Sequence, residues 1–233
     1  MILGRLLRGR FHIKFKDRTS AGEILASVLD DFYKKQKKVA PITVLAIPRG
    51  GVIVGDAIAS KFNQCEFDIV IPRKLGAPNN PELAIGAVMQ DRTAYLNESV
   101  IQMLQVPSEY IDEEISRQVL EVQRRMSLYR GPSKPYNIAG RSVVIVDDGI
   151  ATGATAIVVV RWIHKFSPAN VLIAVPVAPG DTVTKITREG AEVQVVTTPY
   201  SFGSVGQFYE SFNQVTDEEV REISRKWGLL NGT

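Results

Sequence analysis

Two adjacent carboxylates, Asp147 and Asp148, follow an unbroken apolar run, Val143-Val-Ile-Val146, and lead into a turn of small residues, Gly149-Ile-Ala-Thr-Gly-Ala-Thr155. Carboxylates at a strand end accept hydrogen bonds from sugar hydroxyls or hold a divalent cation through water. A Gly- and Thr-rich turn at a helix start offers backbone N–H groups, hydroxyls and the helix dipole to a phosphate. No lysine follows Gly153 as in a nucleotide triphosphate loop, and no G-x-G-x-x-G is present for a dinucleotide, so a monophosphate on a sugar fits best. A second turn, Ile47-Pro-Arg-Gly-Gly51, also follows an apolar run and opens a helix. Gly50 and Gly51 let backbone amides approach an anion closely, and Arg49 adds charge. A third strand end, Ile71-Pro-Arg-Lys74, carries two more cations, Arg73 and Lys74. His12 and His164 match no catalytic position and read as structural.

These residues need strand ends lying side by side. Thr43–Ile47, Phe67–Ile71, Val143–Val146 and Val171–Val175 are short continuous apolar runs, the pattern of strands buried on both faces of a parallel sheet. Helices are predicted over Gly51–Lys61 and Thr155–Phe166. Ser20-Ala-Gly-Glu23 reads as a capping box, opening a helix that ends in the lysines at 34–38. Thr216-Asp-Glu-Glu219 reads as another, opening a terminal helix through Trp227. Ile85–Met89 and Thr93–Leu96 predict a hairpin or two edge strands that interrupt the β-α-β alternation. Ile111, Ile115, Val119, Val122 and Met126 mark a long amphipathic helix from Ser108 to Tyr129. Its terminal Arg124, Arg125 and Arg130 either serve a mobile lid or form a solvated cluster. Gly131-Pro-Ser-Lys-Pro135 reads as a linker.

The segment Val143–Thr155 resembles the ribose-phosphate signature of type I phosphoribosyltransferases in its apolar strand, its acidic pair and its Thr-Gly-x-Thr turn. Ile47–Gly51 resembles that family's diphosphate loop. Leu75-Gly-Ala-Pro-Asn-Asn-Pro-Glu-Leu-Ala-Ile-Gly-Ala-Val88 and Val205-Gly-Gln-Phe-Tyr-Glu-Ser-Phe212 are similar to segments of one branch of the family, and that similarity covers most of residues 11–226. The resemblance implies an α/β fold: an open, mainly parallel sheet with flanking helices, a small hood and an inserted helical segment. It implies one domain over residues 1–233, with the insertion at about 98–135 and the hood and last helix at about 198–229. Asp147 and Asp148 would bind the ribose 2′ and 3′ hydroxyls of 5-phosphoribosyl-1-diphosphate, directly or through Mg²⁺. Gly149, Ala151, Thr152, Gly153, Ala154 and Thr155 would cradle its 5′-phosphate. Arg49, Gly50, Gly51, Arg73 and Lys74 would meet the leaving diphosphate, Lys74 being favoured as catalytic beside the acidic pair. The implied reaction transfers phosphoribose to a nitrogenous acceptor; the alternative is a noncatalytic sensor of the same ligand. Enzymes acting on 6-oxopurines usually carry an Asp where Ala151 stands, which lowers hypoxanthine and guanine as acceptors and leaves the nucleophile open. Glu82 and Asn79 lie either in a loop that closes over the ligand or in a plain turn. Tyr200, Phe202, Phe208 and Tyr209 fall where the family's hood lies, as packing or as a stacking surface. A homodimer is the assembly that the resemblance implies.

The bulk composition is consistent with this reading. The chain has 233 residues, 45% hydrophobic and 23% charged, which is ordinary for a globular protein of α/β type. The net charge of +3 is too small and too dispersed for a nucleic-acid surface. Cys65 stands alone, so neither an internal disulfide nor a cysteine-rich zinc site is available, and a reducing compartment is expected. The first ten residues lack the continuous apolar core of a secretory signal, and no stretch approaches a membrane span, so the expected location is the cytoplasm.

Overall fold

The computed structural model describes residues 14–36, 40–62, 64–131 and 135–230. In chain order its elements are α1 (Arg18–Lys34), β1 (Ile42–Ala46), α2 (Gly50–Ala59), β2 (Glu66–Ile69), β3 (Arg73–Ala77), β4 (Asn80–Val88), β5 (Ala94–Leu96), α3 (Glu98–Leu104), α4 (Ser108–Arg130), β6 (Ser142–Val146), α5 (Ala154–His164), β7 (Asn170–Val177), α6 (Gly180–Arg188), β8 (Glu192–Thr197) and α7 (Asp217–Lys226).

Five strands form one sheet in the order β2-β1-β6-β7-β8, every neighbouring pair parallel. The apolar runs of β1, β6 and β7 are continuous because alternate residues face opposite layers. Val143 and Ile145 of β6, with Leu45 of β1 and Ile173 of β7, pack against α5. Val144 and Val146, with Val44, Ala46 and Leu172, pack against α1, α2 and the ends of α4 and α7. Each fully buried Val or Ile contributes roughly 1.5–3 kcal/mol before conformational entropy is set against it. The strand order reverses direction between β1 and β6: the chain goes outward from β1 to β2, and from β6 the other way to β7. In open parallel sheets such a switch point opens a crevice beyond the carboxyl ends of the strands.

The interruption is larger than the hairpin predicted. β3, β4 and β5 form a separate three-stranded antiparallel sheet. Its one face, with Leu75, Ile85 and Val88, packs on α3 and α4; Ala87 and Met89 reach the core around α5. The Pro78–Asn79 turn joins β3 to β4 at an exposed tip.

Local differences from the sequence reading have physical causes. Helix α1 begins at Arg18 with Asp17 as its cap, because Asp17 Oδ1 accepts from Ser20 N at 2.8 Å while Ser20 Oγ accepts from Asp17 N at 3.1 Å; Ser20 is the third helical residue of the box, and not its start. The box at Thr216 and Glu219 forms as expected and opens α7. Arg130, expected in a solvated cluster or a lid, is instead buried: its guanidinium pairs with both oxygens of Asp68 at 2.6 and 2.8 Å and lies over the Tyr136 ring at 3.7 Å. The pair fastens the end of α4 to β2. His12 and parts of the lysine-rich and Gly131–Pro135 segments lie outside the described residues.

Candidate functional site

The β1 and β6 strands are adjacent and in register from Ile42 opposite Ser142 to Ala46 opposite Val146, so the segments that follow them emerge together. From β1 come Ile47-Pro-Arg49 and the start of α2. From β6 come Asp147, Asp148 and the turn into α5. The two meet closely: a Cβ on Gly50 would stand 1.8 Å from Asp148 Oδ2, and one on Gly51 would stand 2.7 Å from the Val146 carbonyl oxygen and 3.1 Å from Asp147 Oδ1. Neither glycine has a positive φ, so what excludes a side chain at both positions is space. The Pro48–Arg49 peptide is cis.

The acidic pair is half-buried, and its two carboxyls interact strongly. Asp147 Oδ1 accepts from the backbone N–H of Asp148 at 2.8 Å. Burial, followed by the negative charge of Asp148, holds the Asp147 carboxyl well above the usual carboxylate range. Burial raises Asp148 too, against the opposing pull of Arg18, whose Nε donates to Asp148 Oδ2 at 2.7 Å. Arg18 was absent from the residues singled out by sequence. It is the first residue of α1, its side chain is only 11% exposed, its Nη1 donates to the Asn213 carbonyl at 2.7 Å, and its guanidinium lies 3.8 Å from the centre of the Phe212 ring. Tyr209 donates its hydroxyl to the Asp148 carbonyl at 2.5 Å; burial, then the Asp148 charge, raises its phenol far above its ordinary value.

The turn from Gly149 to Thr155 ends at Gly153, which caps α5 in the left-handed conformation (φ 84°) and offers no side-chain cap. The first-turn N–H groups of α5, starting at Ala154 and Thr155, have no intrahelical acceptor and no capping side chain, the arrangement that receives an anion. Ala151 and Thr152 are exposed, and the Ala151 carbonyl is fixed by the Thr182 hydroxyl of α6 at 2.7 Å.

A cavity of about 1640 Å³ adjoins this turn. Ala151, Thr152 and Ala154 border it on one side, Lys74 and Tyr95 of the small sheet on another, and the Thr197–Gly203 segment on a third. Successive residues of a strand face opposite sides, and this separates the two cations of β3. Lys74 faces the cavity and pairs with Glu82, its Nζ 3.1 Å from Oε2 and 3.0 Å from the carbonyl oxygen. Arg73 turns to α4, where its Nε donates to Gln118 at 3.1 Å; burial and then the nearby Arg125 charge lower its pKa. Arg49 does not border the cavity; its Nη1 lies 3.4 Å from Asp217, which also accepts from the Tyr129 hydroxyl at 2.5 Å. Gln118, Glu121, Arg125 and Tyr129 recur at helical spacing, so one stripe of α4 runs from Arg73 to the Asp217–Arg49 pair. Among the aromatics, Phe208 and Tyr209 are packed, with Phe208 against Phe202 and Tyr209 between Phe15 and Phe212, whereas Tyr200 is fully exposed beside the cavity.

A parallel α/β sheet with two Gly-containing turns meeting at its switch point is the architecture in which open α/β proteins bind ligands beyond the strand ends. Comparison with known proteins narrows this. The phosphoribosyl transferase domain model matches residues 19–202, and the chain belongs to that family, with the fold of type I phosphoribosyltransferases. Two curated proteins of Mycobacterium tuberculosis, from strains H37Rv and CDC 1551 and both named as putative phosphoribosyl transferases, are each 38% identical over 206 residues, 88% of this chain. The chain spans 45% of their length. The crystal structure of TT1426 from Thermus thermophilus superposes with a TM-score of 0.75 at 36% identity, over 92% of this chain and 99% of that one. Among the described residues no helix is long and apolar enough to cross a membrane.

Proposed function

We propose that this protein is a Mg²⁺-dependent phosphoribosyltransferase that binds 5-phosphoribosyl-1-diphosphate and transfers its phosphoribosyl group to a nitrogenous acceptor, a nucleobase or related compound, with release of diphosphate. The observation that carries this reading is the approach of Gly50 and Gly51 onto Asp147 and Asp148. It sets an anion-type turn directly against a pair of hydroxyl acceptors, which supports the binding of a ribose bearing a 1-diphosphate. On this reading Asp147 and Asp148 fix the ribose hydroxyls, and Gly149 and Ala151 to Thr155 hold the 5′-phosphate. Arg49, Gly50, Gly51 and Lys74 face the diphosphate, with Arg73 of β3 behind them against α4. Lys74 exchanges Glu82 for the leaving group, since Glu82 is almost fully exposed and yields its partner at little cost.

In the reaction the acceptor nitrogen forms a bond to C1 of the ribose as the bond from C1 to the diphosphate oxygen breaks, with positive charge gathering on the sugar ring. The chain's part is to hold the reactants in line and to place fixed cations and N–H dipoles where negative charge develops on the leaving oxygen. Two adjacent carboxylates suit Mg²⁺, which binds through one or two carboxylates and keeps water or substrate oxygens in its other positions; Asp147 and Asp148 would hold it, through water. When bound, the ion supplies charge neutralisation to the diphosphate. Ala151 at the cavity edge has no group to handle a ring proton, which argues against 6-oxopurine acceptors. Residues of this chain then form one such domain, with about 98–135 as its insertion and about 198–229 as its hood and last helix.

Calorimetric titration of 5-phosphoribosyl-1-diphosphate with Mg²⁺ into the wild type and into the Asp147→Asn, Asp148→Asn double variant tests the reading. Saturable binding lost in the variant is the expected result; a folded wild type that does not bind sinks it. Diphosphate release that needs an added base marks a transferase, release without one marks a hydrolase, and binding without release marks a sensor.

A further inference from the structure

Asp148 keeps only 15% of its side chain exposed, and one of its two carboxylate oxygens is already engaged. Its Oδ2 is closed from two directions, by Arg18 Nε at 2.7 Å and by the backbone at Gly50, where even a Cβ would come within 1.8 Å. Arg18 is in turn fixed in three ways. Its backbone begins α1, its Nη1 is bonded to the Asn213 carbonyl at 2.7 Å, and its guanidinium plane lies on Phe212. The strap that supplies these last two partners is itself bonded to the chain ahead of α1: Phe15 N donates to Phe208 O, Glu210 N to Phe15 O and Ser211 N to Lys16 O, at 2.8 to 2.9 Å. The guanidinium is therefore part of the built structure and is not a surface side chain that happens to reach a carboxylate. Both partners are shielded, at 11% and 15% side-chain exposure, so their attraction is screened little by salt.

We infer that Arg18 is a resident counter-cation of the acidic pair, a positioning residue that bars a divalent ion from Asp148 until the sugar diphosphate is bound. Bound directly, Mg²⁺ or Mn²⁺ needs a ligand oxygen at about 2.0–2.2 Å with room for the rest of its coordination shell; bound through water, it needs room at that oxygen for the bridging water. At Asp148 Oδ2 that room is taken by the guanidinium and the Gly50 backbone. The positive charge beside it also repels a second cation, by an amount that an effective dielectric of about 20 leaves substantial at this range. The free protein thus presents Asp148 in a fixed orientation without recruiting metal. This rests on the acidic pair being the ribose site of the proposed function, yet it is tested without substrate.

The probe is MnCl₂ alone, titrated into the wild type, Arg18→Gln and Arg18→Lys at constant ionic strength and followed by the electron paramagnetic resonance of free Mn²⁺. The wild type and Arg18→Lys should show no saturable site below millimolar Mn²⁺. Arg18→Gln should gain one site, at least about tenfold tighter, which the added change Asp148→Asn removes. A wild-type site below millimolar overturns the inference even if Arg18→Gln does not fold, and so does a folded Arg18→Gln with no gain in affinity. Gain of a site that survives Asp148→Asn also overturns it. A plain structural role for Arg18 would lower the melting temperature and leave Mn²⁺ uptake unchanged. Failure of the sugar diphosphate to bind the wild type would end the proposed function and leave the Mn²⁺ result to decide the role of Arg18.

Discussion

Alanine at Gly50 is the most decisive single substitution. Gly50 opens α2 and its φ lies outside the left-handed region, so backbone conformation alone predicts that Gly50→Ala stabilises, by up to about 1 kcal/mol. The contacts predict the opposite. The new methyl would lie 1.8 Å from Asp148 Oδ2, 2.5 Å from Asp148 Cγ and 2.7 Å from Arg18 Nε, whereas ordinary contact begins at 3.4 Å. To make room, carboxylate and loop must separate by about 1.6 Å, the difference between those first and last distances. A shift of that size breaks the 2.7 Å bond from Arg18. Overpacking costs about 1–3 kcal/mol, and removing a buried charge from its partner costs about 3–5 kcal/mol when nothing replaces it. Because the loop can share the movement, a net loss of about 2 kcal/mol is expected. The companion is Gly180→Ala: Gly180 also opens a helix, α6, but a Cβ there meets nothing within 4 Å, so this change should be neutral or slightly stabilising. Urea unfolding of both variants measures the difference, and calorimetry with the sugar diphosphate and Mg²⁺ reads the site. A Gly50→Ala protein as stable as the wild type with unchanged binding would refute the claim that the two turns are in contact.

Three further outcomes follow from single contacts. Arg130→Met should cost about 3–5 kcal/mol in urea unfolding, because it leaves Asp68 buried with its bidentate partner gone. Thr182→Val removes the hydroxyl that fixes the Ala151 carbonyl at 2.7 Å; a loss of about 1 kcal/mol in sugar diphosphate binding, roughly fivefold in Kd by calorimetry, should come with little change in melting temperature. The arginines at 124 and then 125 hold the Glu121 carboxyl down at about 2, from an ordinary 4.5. Its folded pKa is depressed, so its stabilisation is complete above pH 4.5 and disappears as pH falls from there toward 2. Since Arg124 is 60% exposed, solvent screening limits the effect to about 1 kcal/mol; Glu121→Gln should unfold earlier than wild type in urea at pH 7 and together with it near pH 2.

What could be read in the sequence follows from which forces are local. The β1, β6 and β7 runs were legible because strands covered on both faces need apolar residues at every position, and α4 because one face alone is buried over many turns. The β3 strand escaped notice because Arg73-Lys-Leu-Gly-Ala77 has charges at one end and glycine within, and pairs through a hairpin whose exposed half carries little apolar pattern. The edge strand β8 is only partly buried along Glu192–Thr197, and α6 is a 9-residue helix whose apolar positions are Val183 and Ile186 alone, so neither was picked out from the sequence. At the site, the residues of the two turns were visible as motifs. Arg18 was not, since its bond to Asp148 spans 130 residues and nothing near Arg18 distinguishes it from an ordinary helix-start cation. Burial of Arg130 was hidden for the same reason: its partner Asp68 is 62 residues away.

These long-range bonds concentrate on one residue. Asp148 is met by Arg18 from the start of α1, by the Gly50 backbone from the start of α2, and by the Tyr209 hydroxyl from the strap that follows β8. The strap also carries Phe208, which borders the cavity beside the phosphate-type turn. A movement of Asp148 large enough to release any one of these partners therefore strains the other two, because each is anchored in a different packed element and interiors have little free volume to absorb it. The same geometry that makes Asp148 costly to move makes it suited to hold a ligand hydroxyl in one place. Preorganisation of this kind lowers the entropy that binding must otherwise spend on ordering the site. It also explains why two adjacent, half-buried carboxylates are tolerated at the end of the most completely buried strand: their repulsion is offset by the Arg18 cation brought from α1, while the Tyr209 hydroxyl fixes the Asp148 backbone carbonyl.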